Sequence, residues 1–220
     1  MNQTLKHQAI ELRKDILKAS YEAGACHIGS ALSCVKILLE IFNKKKKEDL
    51  FIYAKASGVC AFYSLLSKLG YFPKEKISFY LKNYPLPDEK VPGVIHSIGS
   101  CGHGLPVAVG LALADRERDV YILMSDGELQ CGTTWECLLF MKQHKLKNLK
   151  VYVDNNGFQA NGKIKDILDL PWDFLKRYFK WKIIKTIKGE GVSFMRGKNE
   201  WHYRNLTPEL LEKALNELNS

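Results

Sequence analysis

No apolar run in this chain of 220 residues approaches the ~18 residues needed to cross a bilayer, so a membrane helix is not expected. The first twenty residues, MNQTLKHQAIELRKDILKAS, lack the compact apolar core and small-residue cleavage site of a signal peptide, and the expected location is cytoplasmic. Cysteine is sparse and poorly spaced for metal. Cys26, Cys34, Cys60, Cys101, Cys131 and Cys137 contain no C-x-x-C pair, which argues against a zinc ribbon or a dithiol redox motif. In a reducing compartment they are expected to be free thiols, many of them buried. There is no internal repeat, and the one low-complexity stretch is the lysine run 44–47. Acidic residues are the minority, 24 against 33 basic, for a formal charge of +9. The lysines are spread along the chain and no nucleic-acid module accompanies them. The excess therefore reads as solvated surface, some of it open to an anionic cofactor, a phosphorylated substrate or an acidic partner. Neither nucleic acid nor membrane is expected as a partner.

What is present is enough for one core. A hydrophobic fraction of 46% is too high for disorder, and the length suits a single domain over residues 1–220. Leu5, Ala9, Leu12 and Ile16 share one face of an initial helix. AGACHIGSALS reads as a loop of small residues permitting close backbone approach. Helices follow at about 33–43 and through GVCAFYSLLSKLGYF, the latter ending at Gly70. Four prolines between 73 and 92 mark residues 73–98 as irregular connecting chain. GSCGHGLPVAVGLALA passes from a glycine-rich turn into a helix that tolerates Pro106 in its first turn. DVYILMSD and NLKVYVDNN read as strands flanking a helix at about 133–144, with Thr133 and Glu136 as its capping box. Strand, helix and strand at this spacing predict a right-handed βαβ unit in a parallel sheet. WKIIKTIKG is a third β-like run, and TPELLEKALNELN a closing helix with Thr207 as N-cap and Pro208 first.

The chemistry gathers around SDGELQCGTTWE and VDNNGFQANG. Asp126 and Asn156 each follow a strand that the βαβ unit makes a near neighbour of the other, and open parallel sheets bind ligands at strand carboxyl ends. A carboxylate, an amide oxygen and a carbonyl form a partial shell for magnesium, which takes its remaining oxygens from phosphates and water. The Gly127 amide and its turn are suited to phosphate oxygens. Taken alone, Asp-Gly and Asn-Gly are also common turn dipeptides.

The words around them carry more. SDGELQCGTTWECLLFMKQHKLKNLKVYVDNNGFQANG resembles the thiamine-diphosphate motif of transketolases, and more narrowly that of the amino-terminal subunit of two-subunit transketolases. AGACHIGSALS, GSCGHGLPVAVGLALA and TIKGEGVSFMRGKNEWHYR resemble three further family segments in the same order. The resemblance implies that Asp126, Asn156 and the Phe158 carbonyl bind magnesium. It places His27 and His202 as catalytic residues, and Lys55, Ser57, Gly99, Cys101, Asp126, Gly127, Asn156 and Lys188 around thiamine diphosphate. Read singly, each has a plainer role in packing, turn or surface.

Departures from the family pattern are specific. Ser125 stands for its glycine before Asp-Gly, and Ser57 for a diphosphate-facing histidine. PLPD replaces a Gly-His-Pro, so Leu86 or a neighbour stands for a substrate-facing histidine. Cys101 replaces a leucine and Cys131 a glutamate; packing is the reading for both, with a reactive thiol as the alternative. Little chain separates the metal motif from KTIKG, which predicts a trimmed, mainly parallel sheet between helices in a single α/β thiamine-diphosphate-binding domain. The glutamate that faces the cofactor's aminopyrimidine lies in a separate domain in this superfamily. The expected function is thus that of the amino-terminal subunit of a transketolase-like transferase, moving a two-carbon ketol unit from a ketose to an aldehyde. Its expected partner is a carboxy-terminal subunit with the pyrimidine-binding domain, in an α2β2 assembly, and its substrates sugars or sugar phosphates. A non-catalytic cofactor-binding or regulatory paralogue is the second reading.

Overall fold

Four short apolar runs form the centre of the molecule, and their alternation builds two cores. The computed structural model describes residues 3–179 and 181–219, without the side chain of Tyr178. In chain order the elements are α1 (Gln3–Ala23), α2 (Ile28–Ser33), α3 (Val35–Lys44), β1 (Leu50–Tyr53), α4 (Cys60–Lys68) and α5 (Lys76–Asn83). Next come α6 (Gly104–Ala114), β2 (Val120–Ser125), α7 (Gly132–His144) and β3 (Leu149–Asn155). A two-stranded hairpin of β4 (Phe158–Gln159) and β5 (Gly162–Lys163) leads to α8 (Ile164–Ile167), α9 (Trp172–Phe179), β6 (Lys182–Lys185) and α10 (Pro208–Asn219). The main sheet has the order β1-β2-β3-β6 and every pairing in it is parallel.

Side chains alternate across these strands. Phe51, Tyr53, Tyr121, Leu123 and Tyr152 enter one core with α1, α3, α4 and α10. Ile52, Val120, Ile122, Met124, Val151 and Val153 enter the other with α6, α7 and α9. Helices on both faces are what a buried parallel sheet requires. Among the described residues, no helix is long and apolar enough to cross a membrane.

Several expectations change. The small-residue loop is a helix from residue 28 onward, because its Gly, Ala and Ser residues let that turn be fully buried. Residues 73–98 are not wholly irregular: α5 fits between Pro73 and Pro85 and buries Ile77 and Leu81. Strand β1, four residues long, is too short to show an alternation in sequence. Thr133 and Glu136 form no capping box, since α7 begins at Gly132 and Thr133 lies inside it, its hydroxyl turned toward the Gly102 carbonyl at 3.4 Å. The capping box lies earlier in the chain, where Ser125 is the N-cap of the 3-10 segment Asp126–Gln130 and Glu128 its third residue. Thr207 does cap α10, accepting the Leu210 amide at 3.3 Å.

Because the strands run parallel, their carboxyl ends share one edge. Lys55 follows β1, Asp126 follows β2, Asn156 follows β3 and Lys188 follows β6.

Candidate functional site

The Asp126 carboxylate is fully buried and bonded at both oxygens. Oδ1 accepts the Gly127 amide at 3.0 Å and Oδ2 the Gly157 amide at 2.6 Å. The second bond joins the ends of β2 and β3. The Gly127 amide, expected to face phosphate, is turned instead to its neighbour's carboxylate. Asn156 lies in the same turn, with Oδ1 accepting the Phe158 amide at 3.0 Å. That bond sets the Asn156 side chain and the Phe158 backbone beside each other. Burial, and then the charge of Asp154, push the Asp126 carboxyl up to about 7, although the Gly157 amide and Lys55 favour the charged form.

Asp154 was not among the residues expected from the sequence. It is fully buried in β3 and forms an ion pair with Lys55, itself 1% exposed. Ser33 Oγ donates to Asp154 Oδ2 at 2.6 Å, and Thr186 Oγ1 bonds Oδ1. Lys55 also donates to Ser33 Oγ at 3.1 Å. The Asn156 amide nitrogen lies 3.4 Å from Ser33 Oγ. Lys55 thus sits behind Asp154 and ties α2, β1 and β3 together. The available signal was Asp154's place two residues before Asn156, which puts it on the strand and the amide just past its end.

A second group stands across the edge. Lys188, buried, donates to Asn199 Oδ1 at 2.7 Å and meets His202 Nδ1 at 3.1 Å. Donation from the lysine puts the His202 ring proton on Nε2. The His27 and His202 rings meet edge to face at 4.7 Å, and the His27 amide donates to the His202 carbonyl at 2.8 Å. His27 has a left-handed backbone, φ 65°, a strained conformation for a side chain of this kind. Gly29 permits the approach: a Cβ there would lie 3.1 Å from Lys188 Cγ and 3.3 Å from Trp201 Cβ. Burial, followed by the charge of Lys55, lowers Lys188 to about 8. Burial, followed by Lys188, His27 and Lys55, lowers His202 to about 3, so it is neutral at physiological pH. His27 shifts down through burial, Lys188 and Lys55.

The remaining expected residues are placed unevenly. Ser57 is half-buried in the turn after β1, beside Gly58. Gly99 is exposed and borders a cavity with His103 and Thr133, not with Asp126 or Lys188. Leu86 is 37% exposed, and its carbonyl accepts the Tyr63 hydroxyl at 2.7 Å. Cys101 is exposed and Cys131 half-buried; burial raises both thiols, with Glu128 adding to the effect, so neither is an activated thiolate. Glu128 is buried; its Oε2 accepts the Ser125 amide at 2.7 Å and hydroxyl at 2.9 Å. Burial raises it to about 7. Its signal in sequence was Ser125 three residues earlier.

The two groups have complementary needs. A buried carboxylate held up near 7 favours a cation, and two depressed cationic groups favour an anion. A carboxylate, an amide and a carbonyl provide hard oxygens; among the described residues no group of three or more His, Cys, Asp or Glu could hold a metal by itself. This donor set fits magnesium carrying a diphosphate better than it fits zinc.

The model of the thiamine pyrophosphate enzyme, C-terminal TPP binding domain, matches residues 79–216. The chain is 34% identical to one of the subunits of the apulose-4-phosphate transketolase of Actinobacillus succinogenes, covering 97% of this chain and 94% of that protein. That alignment runs over 262 positions, more than the 220 residues here, so the relative carries segments that this chain lacks. The chain is also 29% identical to 6-deoxy-6-sulfo-D-fructose transketolase subunit SqwG of a Clostridium species, over 97% of this chain and 96% of that one. Human transketolase is 26% identical, and the match takes in 42% of its length. The solved transketolase of Campylobacter jejuni superposes with a TM-score of 0.87 at 20% identity, covering all of this chain and 43% of that one, and shows the shared fold.

Proposed function

The chain belongs to the thiamine pyrophosphate enzymes, in the transketolase group, and from that premise we propose that it anchors the diphosphate end of thiamine diphosphate through magnesium for a two-chain ketol transferase. It is a transketolase-type subunit, and the cofactor's diphosphate is the part its family domain binds. The observation that carries the proposal is the Asp126–Gly157 bond, which seats the carboxylate of one strand end in the turn holding Asn156 and Phe158. In this reading Asp126, Asn156 and the Phe158 carbonyl are the magnesium ligands. Lys55 does not reach the diphosphate; it fixes Asp154, and through Ser33 and Asn156 it positions the metal turn. Lys188 faces the diphosphate or an anionic substrate group and Ser57 offers a hydroxyl where it lies near. Gly99, Cys101 and Gly127 shape the surrounding wall.

When bound, the cofactor supplies the nucleophilic carbon that carries the two-carbon unit from ketose to aldehyde. The chain's own work is placement and proton handling. Neutral His202, with its proton on Nε2, can donate a hydrogen bond toward a substrate oxygen, while Lys188 holds its other nitrogen. His27, edge-on to that ring, is placed to bind a neighbouring hydroxyl. The partner is a carboxy-terminal subunit bringing the pyrimidine-binding domain and its glutamate, and two of each chain form the working unit. The relatives are named for apulose 4-phosphate and for 6-deoxy-6-sulfo-D-fructose, each of which carries an anionic group. A sugar bearing an anionic group is therefore the proposed substrate class, and the cytoplasm its place of action.

Calorimetry of the chain with its partner, thiamine diphosphate and magnesium tests the anchor. Asp126→Ala and Asn156→Ala should each abolish magnesium-dependent cofactor binding while far-UV circular dichroism stays native. Unchanged affinity in both variants would overturn the metal assignment.

A further inference from the structure

A cavity of about 800 Å³ opens far from the cofactor edge, where β3 begins. Strand β6 pairs with β3 only from Tyr152 onward, so Leu149, Lys150 and Val151 have no neighbour on that side in the pairing. The cavity occupies the space beside them. At about 3.3 Å per residue, the length of β3 separates it from Asn156 by roughly 20 Å.

Its lining is of two kinds. Its aromatic lining is divided by the sheet: Tyr121 and Tyr152 belong to the core on one face, Phe179 and Trp181 to the core on the other. Trp181 is 6% exposed, and its indole Nε1 has no hydrogen-bond partner among the described residues. A buried N–H without an acceptor costs free energy unless a ligand supplies one. Six lysines surround this surface. Lys44 and Lys182 share Glu40, and Lys150 pairs with Asp119. Lys145 and Lys147 have no carboxylate partner among the described residues, and the rim keeps a net positive charge. Lys145 holds a left-handed backbone, φ 50°, at the end of α7, a position that glycine fills more easily. Helix-end lysines also complement the helix dipole, but that effect alone accounts for neither the aromatic walls nor the buried indole N–H.

We propose that this cavity binds a phosphorylated molecule carrying a flat aromatic ring, the chemistry of a nucleotide, at a site separate from the cofactor anchor. The ring lies on the side of Phe179 and Trp181, an acceptor on it takes the Trp181 N–H, and the phosphates meet Lys145 and Lys147. The cavity's volume lies within the usual range for small-molecule sites.

The test uses the chain with its partner subunit, saturated with thiamine diphosphate and magnesium so that the diphosphate anchor is filled. ADP, adenosine and inorganic pyrophosphate are titrated separately by calorimetry, with tryptophan fluorescence as a second readout. ADP should bind at one site per chain and more tightly than either fragment. The double variant Lys145→Glu/Lys147→Glu should weaken ADP at least tenfold, and Trp181→Phe should weaken it severalfold. Cofactor affinity should stay unchanged in both. Absence of ADP binding up to millimolar concentration would overturn the proposal. So would ADP affinity unchanged in the double variant, competition between ADP and thiamine diphosphate, or pyrophosphate binding as tightly as ADP.

Discussion

Asp126, the proposed metal ligand, carries a charge that its surroundings oppose. Its carboxyl is held near 7 by burial and by Asp154, against an ordinary value of 3.8. A raised folded-state value means that the native state holds the proton more tightly than the unfolded chain. The stabilising contribution is therefore complete below about pH 4 and lost as pH rises through about 7. Without ligand, Asp126→Asn should gain on the native chain between pH 4 and pH 8 by up to about 4 kcal/mol at roughly 1.4 kcal/mol per pH unit, on top of a constant cost for turning its NH2 toward one of the two amide donors. The gain should shrink toward pH 4. Glu128 shifts in the same direction, and His202 acts oppositely between about 3 and 6.5; both are present in each protein and cancel in the comparison. Urea unfolding at pH 5 and pH 8 without added ligand measures it, and a difference independent of pH would show that Asp126 is ionised throughout that range. At this scale the positions of Asp126 and Asn156 just past strand ends were legible, because each follows a recognisable strand in a short polar word. Asp154 was not, because a lone Asp in a strand says nothing of a lysine 99 residues away in sequence.

The elements are joined by that lysine. Lys55 and Asp154 link β1 to β3 across the intervening β2, and Ser33 brings in α2. Such a pair adds little over a well-packed apolar pair, but breaking it leaves a buried charge alone. Lys55→Met should therefore destabilise the chain by about 3–5 kcal/mol. The double variant Lys55→Met/Asp154→Leu should regain much of that loss. Chemical denaturation of the two variants and the native chain decides it, and a double variant no better than the single would show that the pair is not isolated from its surroundings. Elements with a long apolar stripe, such as α1 and α10, could be read from the sequence, as could β2 and β3. β1 and α5 could not: one is four residues of plain apolar run, the other eight residues between prolines, and only docking decides what such segments become.

For the whole molecule, the proposed two-chain assembly divides the cofactor between two domains. The family domain binds thiamine diphosphate, and in the proposed assembly the group that faces the aminopyrimidine belongs to another domain. Purified alone with magnesium and thiamine diphosphate, the chain should show no ketol transfer; activity should appear on adding the carboxy-terminal partner, because positioning and preorganised charge are then complete. Turnover by the chain alone at the rate of the mixture would overturn the two-chain reading. The free chain should also self-associate, which sedimentation velocity detects. Helix α6 is apolar around its circumference, with Leu113 37% exposed, and on α7 Leu139 is 70% and Phe140 39% exposed.

By itself the sequence determined the class of fold, the order of the main elements, the strand ends that Asp126 and Asn156 follow and the family resemblance. These depend on local periodicity and on short ordered words, which survive in one dimension. Tertiary structure decided the rest. It turned the Gly127 amide toward Asp126, committed Lys55 to Asp154, and left a basic cavity with aromatic lining beside an unpaired length of β3. Each of these depends on which distant groups share a buried space and must satisfy one another's charge and hydrogen bonds, and that sharing is settled only when the sheet assembles.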